Sequence, residues 1–484
     1  MSEDKELKQW KEKLFYRPKN GYDQIDAEQT GEIFAYAEGY KRFLDAARTE
    51  REAVKEAISM AEDAGFVPYT FGMELQPGAK VYVNNRGKAL MLAVLGQQPL
   101  DHGCVIAGAH IDSPRLDLKQ TPMYEDSELA YFKTHYYGGI KKYQWVTIPL
   151  AIHGVIVKKD GTVVNVAVGE KPEDPVFFVS DLLIHLAQEQ MVKKAATVIE
   201  GEALDVIVGN RPLKLGRNAK SETKETDGKE AVKKGVLAIL KKQYGVEEED
   251  FLSAELEVVP AGRAREAGFD RSMVLSYGQD DRVCAYGSYK AMLNVTKVQR
   301  TSCCILVDKE EIGSVGATGM QSRFFENTVA ELLALLGKES ELALRRTLAN
   351  STMLSSDVSS AFDPLYASSF DKKNVAYLGN GMVLNKFTGS RGKSGSNDAN
   401  AEYIAHIRDI FTREKVNFQM SELGKVDLGG GGTIAYIMAL YGMNVIDSGV
   451  AVLNMHAPWE ATSKADIFET ERGYEAFLKF AKRV

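Results

Sequence analysis

The chain has 484 residues, 44% of them apolar and 26% charged, the balance of a soluble globular protein. That excludes a wholly disordered chain, a collagen-like fibre and a coiled-coil rod, and the length accommodates about two to four ordinary domains. The formal charge of -7 gives no global pull on nucleic acid or an anionic membrane, and no apolar run is long enough to span a bilayer.

In chain order, Met1-Ser2-Glu3-Asp4-Lys5 is charged and lacks the apolar run of a signal peptide. Residues 27–64 read as helical, with Phe34, Ala35, Tyr40, Phe43 and Leu44 approximating an apolar face. Residues 81–95 read as a hairpin turning at Asn84-Asn85-Arg86-Gly87. A continuous apolar run over 104–109 ends at His110 and predicts a buried strand. The texture changes after Lys119: residues 136–168 are β-rich, with Lys159-Asp160-Gly161 as a hairpin turn. A short helix is expected over 180–193, and the polar, aperiodic stretch 220–229 reads as an exposed loop.

From about Ser272 apolar runs at 273–276, 303–307, 352–355 and 450–453 alternate with helical patterns over 281–293, 325–336, 400–411, 433–441 and 464–480. This βαβα rhythm implies an α/β fold with a mostly parallel sheet covered by helices. The strand ending at His110 has the same character. The reading is therefore a discontinuous α/β domain, residues 1–118 and 271–484, interrupted by a β-rich insertion over 119–270. Of the cysteines Cys104, Cys284, Cys303 and Cys304, three lie in apolar runs and none forms a CxxC pair. That suits buried thiols in a reducing, cytoplasmic setting better than disulfides or a thiolate metal site.

An open α/β sheet binds ligands beyond the carboxyl ends of its strands. Polar residues follow each apolar run: His110 and Asp112; Asp280 and Asp281; Asp308, Glu310 and Glu311; Asp357; and Asn454 and His456. All are expected to open on one side of the sheet. So many acids do not sit together without a cation. A mixed His and carboxylate set suits zinc, with manganese or cobalt as substitutes. Each element also has an ordinary alternative. A lone His after a strand is commonly structural, and Asp280-Asp281 fits the N-cap of the 281–293 helix. Glu310-Glu311 fits a cap less well, because Gly313, Gly316 and Gly319 follow.

HExxH is absent, which speaks against a thermolysin-like zinc protease. The stretch Gly389-Ser390-Arg391-Gly392-Lys393-Ser394 resembles part of a phosphate loop, but Phe387 stands where the motif needs glycine. Lys393 remains as a candidate cation near the site. Gly429 to Gly432 precede a helical pattern, either as a tight turn or for close backbone approach to a substrate.

Taken together, Gly108-Ala109-His110-Ile111-Asp112-Ser113-Pro114, Asp280-Asp281-Arg282, Asp308-Lys309-Glu310-Glu311-Ile312-Gly313-Ser314, Ser355-Ser356-Asp357 and Asn454-Met455-His456 resemble the aspartyl aminopeptidase (aminopeptidase I) family of zinc metallopeptidases, in its bacterial aminopeptidase 1 subgroup. Tyr136-Tyr137-Gly138-Gly139-Ile140 resembles a family segment too. The resemblance spans nearly the whole chain, in order. It implies a zinc exopeptidase-like catalytic domain and an inserted β-rich dimerisation domain. It also implies two zinc ions per subunit: Asp280 bridging, His110 and Asp357 on one, Glu311 and His456 on the other. Glu310 would be the general base toward a metal-bridging water, and Asp112 would hold the His110 imidazole. His185 matches a family histidine that reaches a neighbouring subunit's site; by its own sequence it is an ordinary half-buried helix histidine.

The implied substrates are peptides with free N-termini, and the implied assembly is a homo-oligomer of dimers, a closed tetrahedral dodecamer whose sites face an inner chamber. The aromatics Tyr131, Phe132, Tyr136, Tyr137, Tyr143 and Trp145 are then expected at a buried interface, although an internal core of the insertion is the alternative. Family members that prefer acidic N-terminal residues carry an Asp-Arg-Asp-like stretch after the Tyr-Gly-Gly segment. This chain has Trp145-Val146-Thr147-Ile148-Pro149-Leu150 there, so no strong acidic preference is expected. The rival readings are a two-metal deacylase or carboxypeptidase on the same fold, and a non-catalytic cargo or binding protein. The last would ordinarily have lost a ligand or the base, and all are present.

Overall fold

Alternate residues of one central sheet face two different cores, and this sets the layer order of the molecule. A computed structural model of the chain describes Leu7, Trp10 and residues 14–16, 18–213 and 229–484; the loop expected over 220–229 lies outside the described residues except at its last position. The central sheet has nine strands in the spatial order Val67–Pro68, Lys80–Asn85, Ala89–Val94, Ser302–Val307, Val105–His110, Thr352–Ser356, Asn444–Gly449, Met382–Asn385 and Phe418–Ser421. Leu90, Leu92, Val105, Ala107, Cys304, Leu306 and Leu354 pack to one side, under the helices Ala27–Ala46, Glu50–Asp63, Gln279–Leu293, Ala401–Arg413 and Lys464–Phe480. Their neighbours Met91, Ala93, Ile106, Cys303, Ile305 and Met353 pack to the other, under Phe324–Leu335, Glu341–Asn350 and Ala435–Ala439. This is the period of two that a strand buried on both faces requires. Val105–His110 runs through the middle, parallel to Ser302–Val307 and Thr352–Ser356. Gly108 allows that closeness: a Cβ there would lie 2.5 Å from Ile305 Cγ2.

The helical stretch 27–64 is two helices, because Asp26 with Gln29 and Thr49 with Glu52 form two separate capping boxes. The 81–95 hairpin is present as Lys80–Asn85 and Ala89–Val94, its turn closed by the Gly87 N–H donating to Asn84 Oδ1 at 2.8 Å. The C-terminal helix spans Lys464–Phe480 as read from the pattern. All four cysteines are free and buried.

Between these parts the chain makes a six-stranded, wholly antiparallel sheet, ordered Val163–Val168, Leu150–Val157, Ala254–Pro260, Arg115–Asp126, Leu129–Tyr137 and Val206–Gly209. It has its own core around Phe132, Trp145, Ile152, Phe251 and Val258. The aromatic cluster therefore divides. Phe132 and Trp145 belong to this internal core, whereas Tyr136 and Tyr143 are exposed.

Two expectations need correction. The strands Met273–Ser276 and Ala451–Leu453 do not join the central sheet; they pair through Glu460–Ser463 in a separate five-stranded sheet. A local apolar run marks a strand but carries no address for its partner. The helix expected over 180–193 is only a 3-10 turn at Ile184–Leu186 and one turn at Gln188–Met191. Leu182, Leu183, Ile184, Leu186, Met191 and Val192 are all exposed. A short helix draws its stability from packing an apolar face, and here these apolar side chains stay exposed among the described residues. Among the described residues no helix is long and apolar enough to cross a membrane.

Candidate metal centre

The ends of three parallel strands and two loops of the small sheet converge on one cleft of about 420 Å³. Asp280, Glu310, Glu311, Asp357 and His456 line it together with neutral residues that include Val358, Asn385, Thr388, Leu423, Tyr436 and Met455. His110 lies buried behind them at the end of its strand.

The geometry is organised by Asp280. Its Oδ1 lies 3.2 Å from His110 Nε2 and its Oδ2 lies 3.2 Å from His456 Nε2, so one carboxylate spans two imidazoles. Asp357 Oδ1 lies 3.9 Å from His110 Nε2, and Glu311 Oε1 lies 3.6 Å from His456 Nε2. Donor atoms of His110, Asp280 and Glu311 lie mutually within 4.8 Å, as do those of His110, Glu310 and Asp357. Among the described residues, Asp280 Oδ1 and Glu311 Oε1 are buried with no hydrogen-bond partner. Orphaned carboxylate oxygens facing imidazole nitrogens fit a nitrogen- and oxygen-ligated divalent cation such as zinc.

The capping alternative for Asp280 and Asp281 does not hold. Both residues have non-helical backbone angles at the head of the Gln279–Leu293 segment, yet Asp280 Oδ1 and both Asp281 oxygens accept no hydrogen bond from the turn that follows. Asp281 is also buried, with both carboxylate oxygens unpartnered, and it forms a further acidic group with Asp280 and Asp357.

The charges are out of balance without a cation. Burial pushes the Glu310 carboxyl up to about 8 against the pull of His110, with Asp357 and Asp112 adding to the rise. Glu311 is driven well above the carboxylate range by burial and by Asp280. Asp280 goes the other way: burial opposes it, but His110 and His456 hold it well below the usual range. His456 rises to about 10, because Asp280 and Glu311 outweigh its desolvation. Groups that hold protons in this pattern are groups a divalent ion displaces them from.

Asp112 is the hub behind the site. It accepts from the Glu310 N–H at 3.1 Å and the Glu311 N–H at 3.2 Å, so one carboxylate fixes the backbone that carries both acids. Its own main-chain carbonyl accepts from His110 Nδ1 at 3.1 Å, which leaves Nε2 free to face the cleft. Asp308 turns away and accepts from Thr318 Oγ1 at 2.7 Å. Lys393 pairs with Asp398 at 3.0 Å, lies over the Phe387 ring and does not line the cleft. Gly430, Gly431 and Gly432 do line it, and Gly430 has no room for a side chain: a Cβ there would lie 2.4 Å from Ser390 N. His185 is exposed on the Ile184–Leu186 turn and is not among the cleft residues.

Glu460 was not read from the sequence. It is buried, with Oε2 accepting from the Asp280 N–H at 3.1 Å and Oε1 from the His456 N–H at 2.9 Å, so it clamps the backbones of both residues at once. Thr433 and Asp447 were missed likewise; Thr433 Oγ1 donates to buried Asp447 and ties the glycine run to the central sheet.

Residues 43–478 match the family model "Aminopeptidase I zinc metalloprotease (M18)". The chain belongs to this aminopeptidase family. It is 60% identical over 464 residues to "Probable M18 family aminopeptidase 1" of Clostridium acetobutylicum, covering 95% of this chain and 98% of that one. The crystal structure of an M18-family aminopeptidase from Thermotoga maritima superposes with a TM-score of 0.90 at 44% identity, covering 96% of this chain and all of that one. That of aminopeptidase I from Clostridium acetobutylicum gives 0.87 at 56% identity over the same shares. A more distant structure, described as the S. cerevisiae mApe1 dodecamer, shares the fold with a TM-score of 0.72 at 21% identity, covering 91% of this chain and 96% of that one. The chain is thus a metallo-exopeptidase of the zinc aminopeptidase type.

Proposed function

We propose that this aminopeptidase is co-catalytic, with two zinc ions per chain sharing Asp280, one also held by His110 and Asp357 and the other by Glu311 and His456. The observation that carries this reading is the Asp280 carboxylate itself, with one oxygen toward each imidazole. When bound, the ions supply the positive charge that acidifies the attacking water and polarises the scissile carbonyl. Glu310 stands at the cleft with Oε2 4.0 Å from His110 Nε2, and its backbone N–H is held by Asp112 Oδ1. It takes the proton of the water nucleophile and passes it to the leaving amine. The acidic wall of the cleft suits a free α-amino group, which gives the exopeptidase register.

Apart from the metal-centre residues, the cleft lining is neutral, with no lysine or arginine among the described residues to pair with an acidic side chain. Together with Trp145-Val146-Thr147 after the Tyr-Gly-Gly segment, this favours neutral over acidic N-terminal residues. A panel of aminoacyl fluorogenic substrates, with zinc, manganese and cobalt added in turn, tests the reading. Neutral or basic aminoacyl groups should be turned over at least as well as Asp and Glu. A preference for Asp of about a hundredfold would overturn it. Hydrolysis of blocked but not free N-termini would instead favour the deacylase.

The proposal extends to domains and assembly. Residues 1–118 and 271–484 form the catalytic domain, and 119–270 an inserted domain through which chains dimerise and build a dodecamer. The exposed apolar residues around His185 support it, since a contiguous patch of this kind on a soluble chain marks an interface. In such a pair His185 completes the neighbour's site and stabilises the oxyanion. Light scattering alongside activity checks this, and a fully active monomer would refute both the assembly and the role of His185. Mixing His185→Ala chains with Glu310→Gln chains, under conditions of subunit exchange, should restore part of the activity lost in each.

A further inference from the structure

The turn of the antiparallel sheet that follows Leu129–Tyr137 does not stay within its own domain. It lies against the metal-centre residues. Tyr137 is buried, and its hydroxyl donates to Asp112 Oδ2 at 2.7 Å, the same oxygen that accepts the Glu311 N–H. The Arg115 guanidinium, 3.9 Å from the ring centroid, holds the ring from one face. Gly138 has φ +74°, and a Cβ there would lie 3.2 Å from Glu311 Oε2 and 3.3 Å from Glu311 Cβ. The Gly139 carbonyl lies 2.8 Å from His456 Nδ1. A carbonyl only accepts, so Nδ1 carries a proton, and Nε2 is the nitrogen turned toward Asp280 and Glu311, the one a metal would take. His456 has φ +65°, a conformation a side chain adopts only when its surroundings hold it, and Gly139 and Glu460 grip it from two directions.

We propose that Tyr137, Gly138 and Gly139 are positioning residues of the metal centre. Through Asp112 and His456, this turn sets the aim of Glu311 and His456, so the inserted sheet is the outer support of the half-site those two form. The inference rests on the two-metal reading above. It gives the insertion a task in the chemistry of its own chain, separate from any contact with a neighbour.

The test compares two substitutions that each delete one phenolic hydroxyl. Tyr137→Phe removes the bond to Asp112. Tyr124→Phe removes an equal bond, Tyr124 to Asp205 Oδ2 at 2.7 Å, inside the same sheet. Zinc affinity of the full chain is measured by competition with a chelator, and cobalt spectra report the ligand field. Tyr137→Phe is expected to weaken the more loosely held ion about tenfold or more, the scale of losing a group that orients a ligand. It should also alter the cobalt spectrum and regain activity at saturating metal, while Tyr124→Phe changes none of these. Gly138→Ala, which crowds Glu311 directly, should act in the same direction. Parent-like zinc affinity and an unchanged cobalt spectrum in Tyr137→Phe would overturn the inference and leave the metal centre standing. If the unsubstituted chain takes up no metal, the metal-centre reading itself fails, and this inference with it.

Discussion

Glu310→Gln should lower kcat by roughly 10²–10⁴, the scale of a positioned general base, with little change in metal content. The side chain keeps its size and place, because its backbone N–H is fixed by Asp112 Oδ1 and not by the carboxylate it loses. Only the capacity to take a proton is removed. The neighbouring change, Glu311→Gln, should act through a different quantity. Glu311 Oε1 is a buried acceptor without a donor, 3.6 Å from His456 Nε2, so its amide should cost metal occupancy first and turnover as a consequence. Steady-state kinetics with elemental analysis of the same samples separates the two. Near-parental turnover in Glu310→Gln would remove it from the base role. Equal metal loss in both variants would make it a ligand instead.

His456→Ala should reduce metal-replete protein from two ions per chain to one. The substitution removes the imidazole that faces Asp280 Oδ2 and Glu311 Oε1 and leaves those buried carboxylates with His110 as their remaining imidazole. Activity should fall by about a thousandfold or more, in keeping with the several kcal/mol that a bound ion contributes to a hydrolytic transition state. Raising the metal concentration should recover part of it, because Asp280 and Glu311 remain. The His110 half of the site is fixed independently by the Asp112 carbonyl and should keep its ion. A variant that retained both ions and full turnover would exclude His456 as a ligand. A parent protein holding a single ion would exclude the two-metal centre.

Residue order along the chain is enough to mark where the chemistry can lie. Each acid or histidine of the metal centre follows an apolar run, and a run of that kind makes a strand whatever its partners are, so its polar successor sits at or just beyond a strand end; His185 follows no strand and rests on the resemblance alone. His110, Glu310, Glu311 and Asp357 were legible for this reason. The strand Asn444–Gly449 was not. Asp447 and Ser448 interrupt its apolar pattern, and only burial against Thr433 and the 352–356 strand makes those polar side chains tolerable there. Tertiary structure alone decided the rest. It placed Met273–Ser276 and Ala451–Leu453 in a second sheet, yet still turned Asp280 toward His110 and His456 toward Glu311, which follow strands of the first. It also recruited Glu460, the first residue of the Glu460–Ser463 strand, to accept the N–H of Asp280 from 180 residues away. Periodicity and residue type report on a few neighbours along the chain. Which buried N–H meets which carboxylate is fixed only when distant segments close on one another, because only then is each polar group deprived of water and made to find a partner.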